Sequence, residues 1–402
     1  MSQKYPGGII SKTAPVTVGP VDGEGGSAPG VWTLTQALEL NKQSLWPKPP
    51  VQGELYAWGY NYNGQLGQNN TIYRSSPVQV GALTTWSQIA GAKHTVAAKT
   101  DGTLWSWGYN AQGQLGLNDT ASRSSPVQVG LLTTWSKIAA GAAFSIATKT
   151  DGTLWSWGYS NYGQLGLNDT ANRSSPVQVG ALTTWYQVAA GGQFTLATKT
   201  DGTLWSWGRN NNGQLGLNVT DSRSSPVQVG ALTAWSKIAA GVSFTLAIKT
   251  DGTLWSWGRN YAGALGLNDT ADRSSPVQVG ALTTWSQIAG GNQFSLAVKT
   301  DGTLWSWGYN FRGALGLNDN ANRSSPVQVG ALTTWSQIAG GQAHTLAIKT
   351  DGSLWSWGFG GTGRLGLNDT ANRSSPVQVG ALTAWSRLPK MPLNLSSLAI
   401  KS

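Results

Sequence analysis

The chain has 402 residues, of which 53 are glycine, 22 are tryptophan and none is cysteine, and its formal net charge is +10. The absence of cysteine excludes disulfides, thiolate metal sites and cysteine nucleophiles. The abundance of tryptophan is unlike that of disordered chains, which lack aromatic residues, and no apolar run approaches the roughly 18 residues of a membrane-spanning helix. The charge is spread along the chain and forms no specific nucleic-acid motif, so it predicts at most weak attraction for polyanions.

Residues 1–50 are predicted to form a leader in front of the main domain. Its first part is rich in Gly, Pro, Ser and Thr, which favours an extended segment, and it lacks the continuous apolar stretch of a secretory signal. Thr33 and Gln36 have capping-box spacing, and apolar residues follow at helical spacing, so a short helix is predicted near residues 34–46. The segment from Pro29 to Pro47 resembles short modules in structural proteins of tailed bacteriophages. The alternative is an ordinary linker helix.

Residues 51–402 repeat one sequence unit seven times at a spacing of 49–50 residues. The phrase KTDGTLWSWG, or a close variant, recurs from Lys99 to Lys349, and a degenerate copy, GELYAWG, covers Gly53–Gly59. Within one unit, an alternating run from Phe144, a turn at Asp151-Gly152 and the run 154–157 predict a hairpin. Two further short strands are predicted at residues 137–139 and 177–179. Four antiparallel strands per repeat predict the blade of a β-propeller.

The two ends of the repeat region predict how the ring closes. The last residues, 398–402, copy the LAIKT strand of the other units, but no DG-TLWSWG hairpin partner follows them. The missing partner is the orphan segment Gly53–Gly59. We therefore predict an all-β, seven-bladed propeller in which the C-terminal strand pairs with the first propeller strand, which removes free sheet edges.

The runs L-W-S-W-G-x-N-x-x-G-Q-L-G and I-A-x-G-x-x-H/F-T/S-L-A-x-K-T-D-G resemble regulator-of-chromosome-condensation (RCC) repeats throughout the seven units. Kelch repeats share a period of roughly 50 residues but not this order of glycines and aromatics. The resemblance implies a seven-bladed propeller. Family members that act as exchange factors carry a wedge-like insertion in one blade, and the uniform spacing here leaves no room for it.

No constellation of residues predicts catalysis, a metal site or a cofactor. His94 and His344 occupy a position that is Phe in other units, which indicates strand packing. The loops typified by Asn118-Asp119-Thr120 offer one carboxylate each, which is a poor calcium site. No catalytic or phosphate-binding motif is present, so a non-enzymatic protein is predicted. An arginine repeated before each S-S-P is interpreted as structural, hydrogen-bonded to loop carbonyls; a ring that binds an anionic polymer is the alternative.

The seven units differ from one another mainly in two places, the loop after W-G and the pair of residues before the F/H strand. Two strands and one turn separate these places, so both are predicted to emerge on the same face of the ring. Their aromatic, Arg, Asn and Gln content is typical of binding surfaces, whereas neutral drift in tolerant loops is the alternative. The predicted binding residues are Tyr60, Tyr62, Lys93, Tyr109, Gln112, Tyr159, Tyr162, Gln193, Arg209, Asn211, Arg259, Tyr261, Asn292, Tyr309, Phe311, Arg312, Gln342 and Phe359.

The leading functional hypothesis from the sequence is a bacteriophage display protein on the exposed surface of a virion. Residues 1–50 would anchor it or form a homo-oligomer, and the variable loops would bind a protein or glycan on a host surface or another virion protein. One alternative is a cellular, cytoplasmic RCC-type regulator that binds a small GTPase or chromatin. Another is a propeller-type protein inhibitor of an enzyme.

Overall fold

The computed structural model describes residues 53–389 and 395–402, and the chain divides into two units, Met1–Gln52 and Gly53–Ser402. The helix predicted near residues 34–46, and any oligomerisation through residues 1–50, lie outside the described residues. No helix within the described ranges has both the length and the apolar character needed to cross a bilayer. The helical elements there are two single 3₁₀ turns, Tyr261–Gly263 and Gly361–Gly363.

The described residues of the second unit form 28 short strands. The first fourteen are β1 (Glu54–Gly59), β2 (Arg74–Gln79), β3 (Trp86–Gly91), β4 (His94–Lys99), β5 (Leu104–Gly108), β6 (Arg123–Gln128), β7 (Trp135–Ala140), β8 (Phe144–Lys149), β9 (Leu154–Gly158), β10 (Arg173–Gln178), β11 (Trp185–Ala190), β12 (Phe194–Lys199), β13 (Leu204–Gly208) and β14 (Arg223–Gln228). The others are β15 (Trp235–Ala240), β16 (Phe244–Lys249), β17 (Leu254–Gly258), β18 (Arg273–Gln278), β19 (Trp285–Gly290), β20 (Phe294–Lys299), β21 (Leu304–Gly308), β22 (Arg323–Gln328), β23 (Trp335–Gly340), β24 (His344–Lys349), β25 (Leu354–Gly358), β26 (Arg373–Gln378), β27 (Trp385–Arg387) and β28 (Ser396–Lys401).

These strands form seven four-stranded antiparallel sheets, which are the blades of the propeller. Blades I to VI take four consecutive strands each, from β3–β6 to β23–β26. Blade VII joins the two ends of the chain in the order β2-β1-β28-β27, with Glu54 opposite Lys401 and Gly59 opposite Ser396. The predicted seven-bladed fold and its closure by the C-terminal strand are confirmed. The lysine amine of Lys401 also pairs with the carboxylate of Glu54 at 2.9 Å.

Tryptophans pack each blade against the preceding one. In blade II, the rings of Trp155 and Trp157 lie 6.2 and 5.9 Å from that of Trp135, so both project from the same side of the sheet. Trp157 is fully buried and donates a hydrogen bond from its indole nitrogen to the carbonyl of Gln114 in blade I at 2.9 Å. Burial of one large apolar side chain stabilises a fold by roughly 1.5–3 kcal/mol. The many tryptophans of the repeat region are therefore explained by this packing between blades, which is repeated around the ring.

The outermost strand of each blade is longer than predicted. In blade II it runs from Arg173 to Gln178, whereas the sequence pattern indicated only residues 177–179. The strand pairs with its neighbour near both ends, and the register shifts between Arg173 and Val177. Pro176 lies in this interval. Proline is tolerated there because an edge strand does not need every backbone donor.

The blade hairpins place the loops on two opposite faces of the ring. The loops between the first and second strands and those between the third and fourth strands share one face, which we call the variable face. They are joined by backbone hydrogen bonds, as from the amide of Tyr159 to the carbonyl of Ala143 at 2.9 Å. The Asp-Gly turns and the loops that connect successive blades share the other face, the turn face, where the amide of Trp185 donates to the carbonyl of Gly152 at 3.1 Å.

Candidate functional site

The structure places all the predicted binding residues in the loops of the variable face. Three aromatic side chains there are the most exposed, namely Tyr62 at 69%, Phe311 at 62% and Tyr261 at 54%. Lys93, Asn211 and Arg259 are also exposed, and the other predicted residues are half-buried. The face therefore presents aromatic and cationic side chains to solvent, although aromatic residues are normally placed in cores or interfaces.

A buried asparagine shapes most of the loops that follow W-G, and sequence reasoning missed this role. In blade I, the amide oxygen of Asn110 accepts a hydrogen bond from the amide of Leu115 at 2.9 Å. Its amide nitrogen donates to the carbonyls of Asp119 and Ala121 at 3.1 and 3.0 Å. The recurrence of asparagine at this position in five of the seven loops was the available signal. Because this residue holds the loop from inside, its neighbours can vary without unfolding the loop.

Six of the predicted residues form one contiguous cluster across blades IV, V and VI, which we call the aromatic arc: Arg259, Tyr261, Tyr309, Phe311, Arg312 and Phe359. The ring centre of Tyr261 lies 6.5 Å from that of Tyr309, which stacks on Phe311 at 6.2 Å. The guanidinium of Arg312 lies 3.7 Å from the ring centre of Phe359, a cation–π contact that joins blade V to blade VI.

The remaining predicted residues form smaller, separate contacts. Tyr60 stacks on Tyr62 with 6.4 Å between their ring centres. The other contacts are Lys93 over Tyr109 at 6.0 Å, Arg209 over Tyr162 at 5.0 Å, Arg209 to Gln193 at 2.8 Å and Asn172 to Gln112 at 2.8 Å. Tyr159, Asn211 and Gln342 lie on the same face outside the arc. The largest connected group of predicted residues thus lies on three of the seven blades.

A shallow, solvent-open pocket lies on the variable face at one end of the aromatic arc. Its lining includes Arg259 and Tyr261 from blade IV and Asn292 and Gln293 from blade V. Ala264 also lines it, at a position that is Gln in four other blades. In blade III, the corresponding Gln214 accepts a hydrogen bond from the amide of Asn212 at 2.9 Å. The shorter alanine leaves this space unfilled.

Blade VI has arginine at the position of that glutamine, and sequence reasoning missed this residue although G-R-L-G departs from the G-Q-L-G pattern. Arg364 is 3% exposed, and its guanidinium lies 4.5 Å from the ring centre of Phe359. Its Nε donates to the carbonyl of Gly361 at 2.9 Å. Burial, together with the nearby charge of Arg312, lowers the pKa of Arg364 to about 10. The aromatic arc therefore has a buried cation beneath it.

The other titratable groups singled out in the sequence have structural roles. His94 and His344 are fully buried and make hydrogen bonds through Nε2 to the hydroxyls of Ser145 and Ser397, at 2.8 and 2.9 Å. The Asp101 carboxylate accepts bonds from the amide and hydroxyl of Thr103, which hold its pKa below the usual range and complete the Asp-Gly turn. Within residues 53–389 and 395–402, no group of three or more acidic or histidine residues could hold a metal ion.

The repeated arginine is also structural in the blades that carry Asp four residues earlier. Arg173 donates to the carbonyl of Ala171 at 2.9 Å and pairs with the carboxylate of Asp169 at 2.5 Å. Five blades share this ion pair. The carbonyl bond agrees with the interpretation from sequence, whereas the carboxylate partner was not anticipated.

Comparison with known families supports the repeat resemblance. The sequence model of the RCC1-like domain matches residues 50–284, more than half of the chain. Two models of the regulator of chromosome condensation (RCC1) repeat also match. The first matches residues 301–348 and 351–386, and the second matches residues 285–314 and 335–364. A comparison with curated protein sequences returned no significant match.

Solved structures with the same fold include yeast and human proteins. The structure of Prp20p from Saccharomyces cerevisiae has a TM-score of 0.77 and 23% identity, over 87% of this chain and 92% of that chain. The structure of human WBSCR16 has a TM-score of 0.78 and 21% identity, over 87% of this chain and 99% of that chain. At these identities the likeness shows the shared fold.

These matches correct the leading functional hypothesis. The prediction of a bacteriophage display protein on a virion surface, with a host receptor or virion partner, is wrong. The sequence models that match are those of RCC1 repeats, the similar structures include yeast RCC1 and a human protein, and the comparisons give no support to a virion protein. The cellular alternative is the better supported of the two. The chain belongs to the family of RCC1-like domain proteins, and its repeat region is a seven-bladed propeller of that family.

Proposed function

We propose that this chain is a non-enzymatic regulator of the RCC type that binds another protein through the variable face, with the aromatic arc at the centre of the interface. The observation that carries the proposal is the arc itself. Tyr261, Tyr309, Phe311 and Phe359 cluster with arginines on the one face where the seven repeats differ. Aromatic and arginine residues dominate the binding energy of protein interfaces.

The two loops that carry Tyr261, Tyr309 and Phe311 are each held from inside by a buried asparagine. In blade V, Asn310 is buried, and its side chain binds the amide of Leu315 at 2.9 Å and the carbonyl of Asp319 at 3.0 Å. Side chains on loops held in this way lose little conformational entropy when a partner binds, which favours affinity. Neutral drift would account for variation in these loops, but it gives no reason for a chain of ring–ring and cation–π contacts that spans three blades.

Related proteins support a protein partner. Prp20p binds Gsp1p and histones, and another solved structure shows Kap60 bound to yeast RCC1. For this chain we propose the general property of protein binding. If the partner is a small GTPase, we expect binding without nucleotide release, because the repeat spacing of 49–50 residues leaves no room for a wedge-like insertion.

The test compares two variants of the full chain for partner capture. Tyr261→Ala with Phe311→Ala removes the two most exposed rings of the arc, and blade I naturally has Ala111 at this loop position. The control, Leu182→Ala with Leu282→Ala, removes two leucines of the turn face that are 48% and 47% exposed. Proteins captured from a lysate of the source organism are purified, and their affinity for each variant is measured by calorimetry.

We expect the arc variant to weaken binding at least tenfold, as removal of hot-spot residues typically costs about 2 kcal/mol or more. The turn-face control is expected to bind like the original chain. Equal binding by the arc variant, or loss of binding only in the turn-face control, would place the interface elsewhere and overturn the proposal. Nucleotide release from a captured GTPase, at a rate above its spontaneous one, would contradict the expectation of binding alone.

A further inference from the structure

We propose that the aromatic arc recognises an acidic peptide segment, whose carboxylate is held by Arg312 and Arg364 beside the ring of Phe359. This inference rests on the proposed function, because it names the chemistry of the partner that the variable face binds. The observation behind it is that several arginines of this face have no carboxylate partner.

The arginines of the variable face differ in whether a carboxylate pairs with them. We call the repeated arginines that begin the outermost strands the rim arginines. On the rim, Arg323 pairs with Asp319 at 2.5 Å, and four other blades repeat the pair. In contrast, Arg259, Arg312 and Arg364 form no salt bridge with any carboxylate in the part of the chain that the structure describes. Three guanidiniums without an anion thus lie on or beneath one connected patch.

Two of the three guanidinium nitrogens of Arg364 have hydrogen-bond partners, and the third has none among the described residues. Its Nε donates to the carbonyl of Gly361, and its Nη2 lies 3.4 Å from the hydroxyl of Thr362. Its Nη1 is buried and has no hydrogen-bond partner among the described residues. A buried, incompletely paired charge is costly, and a carboxylate that reaches it recovers part of that cost. The lowered pKa of Arg364, caused by burial and by Arg312, has the same origin.

Arg312 is the more exposed of the two arginines that contact Phe359. It is half-buried, makes no hydrogen bond within residues 53–389 and 395–402, and contacts the same ring of Phe359 at 3.7 Å. Its side chain can therefore turn toward a ligand without breaking a polar contact. A carboxylate that contacts both guanidiniums would form charge-assisted hydrogen bonds, which are the stronger kind.

The surroundings favour a peptide over a nucleic acid. The arc offers apolar ring faces, and the shallow pocket at its far end adds the polar groups of Asn292, Gln293 and Arg259, a mixture that suits the contacts of a peptide. Binding of a polyanion would need a continuous track of free cations. The rim does not supply this track, because five of its arginines are already neutralised by aspartates.

The test measures the affinity of the full chain for a defined probe, a fluorescein-labelled peptide with four glutamates around one phenylalanine. Its twin has glutamine in place of every glutamate. Arg364→Gln is the decisive variant, because Gln occupies this position in four other blades and is compatible with the fold. Arg123→Gln, on the rim of blade I, is the matched control. Anisotropy titrations are carried out at low salt and at 0.5 M salt, with a 12-nucleotide single-stranded DNA as the competing class of ligand.

We expect saturable, salt-sensitive binding of the acidic peptide, no binding of the glutamine twin, and an affinity reduced about tenfold or more by Arg364→Gln but not by Arg123→Gln. Equal affinity of the original chain and Arg364→Gln, absence of saturable peptide binding, or tighter binding of the DNA would each overturn the inference. If Arg364→Gln leaves partner capture intact while Tyr261→Ala with Phe311→Ala abolishes it, the acidic-ligand inference fails and the proposed function stands.

Discussion

The two buried histidines make the stability of the propeller depend on pH, and replacing them with phenylalanine should remove that dependence. His94 and His344 occupy the position of Phe144, Phe194, Phe244 and Phe294, which are all fully buried. Burial lowers the pKa of His94 from 6.5 to about 3. The pKa of His344 is also lowered well below its usual value, by burial and by the charge of Arg364.

The direction of the effect follows from the unfolded state. Below pH 6.5, histidine in the unfolded chain takes up a proton that the folded chain accepts at His94 only near pH 3, so stability is complete above pH 6.5 and falls as the pH drops toward 3. Between pH 7 and pH 5, this loss is about 2 kcal/mol for His94, because one pKa unit corresponds to about 1.4 kcal/mol. His344 contributes in the same direction, because its pKa is also lowered by burial.

The substitution itself should be mild at neutral pH. The hydroxyl of Ser145 donates its proton to the carbonyl of Gln114 at 2.8 Å, so Nε2 of His94 is the donor in the bond between them. His94→Phe loses that one bond, worth about 1 kcal/mol, and gains apolar burial, while Ser145 keeps its partner. We expect the doubly substituted chain to match the original within about 1 kcal/mol at pH 7.5.

The assay is urea unfolding of both chains at pH 7.5, 6.0 and 5.0, followed by tryptophan fluorescence. The Asp-Gly turns also titrate, because the pKa of Asp101 and its counterparts is lowered by hydrogen bonds from Thr or Ser, and this part of the stability is lost as the pH falls below about 4. Both chains share that contribution, so it cancels in the difference. An equal loss of stability by both chains between pH 7.5 and 5.0 would refute the argument.

Two further predictions concern the packing between blades and the closure of the ring. In Gly116→Ala, the new Cβ would lie 2.8 Å from the indole nitrogen of Trp157, whereas in Gly130→Ala it meets nothing within 4 Å; both positions have positive φ, +73° and +62°. We expect a backbone cost of about 1–2 kcal/mol for both, and about 1–3 kcal/mol more for Gly116→Ala, from overpacking. Equal unfolding free energies would contradict the close packing. Removing residues 396–402 deletes the partner of Glu54–Gly59 and should abolish cooperative thermal unfolding, whereas an unchanged Tm would show that closure by this strand is dispensable.

Several features of the fold were predictable because they depend on residues close in sequence. Alternating runs and the Asp151-Gly152 turn define the hairpins, and the copied ending at residues 398–402 indicates the closure. The two faces follow from the reversal of chain direction at each hairpin. The length of the outer strand was not predictable, since Pro176 normally argues against a strand and is tolerated only at an edge.

The sequence by itself determined the number of blades, the way the ring closes and the face on which the copies vary, because period, alternation and turn chemistry are local properties repeated seven times. The tertiary structure decided which variable residues meet. Phe359 contacts Arg312 because neighbouring blades bring their loops together, and the pocket beside Tyr261 is lined by residues of both blade IV and blade V. These contacts depend on packing between blades, which no pattern within a single repeat encodes.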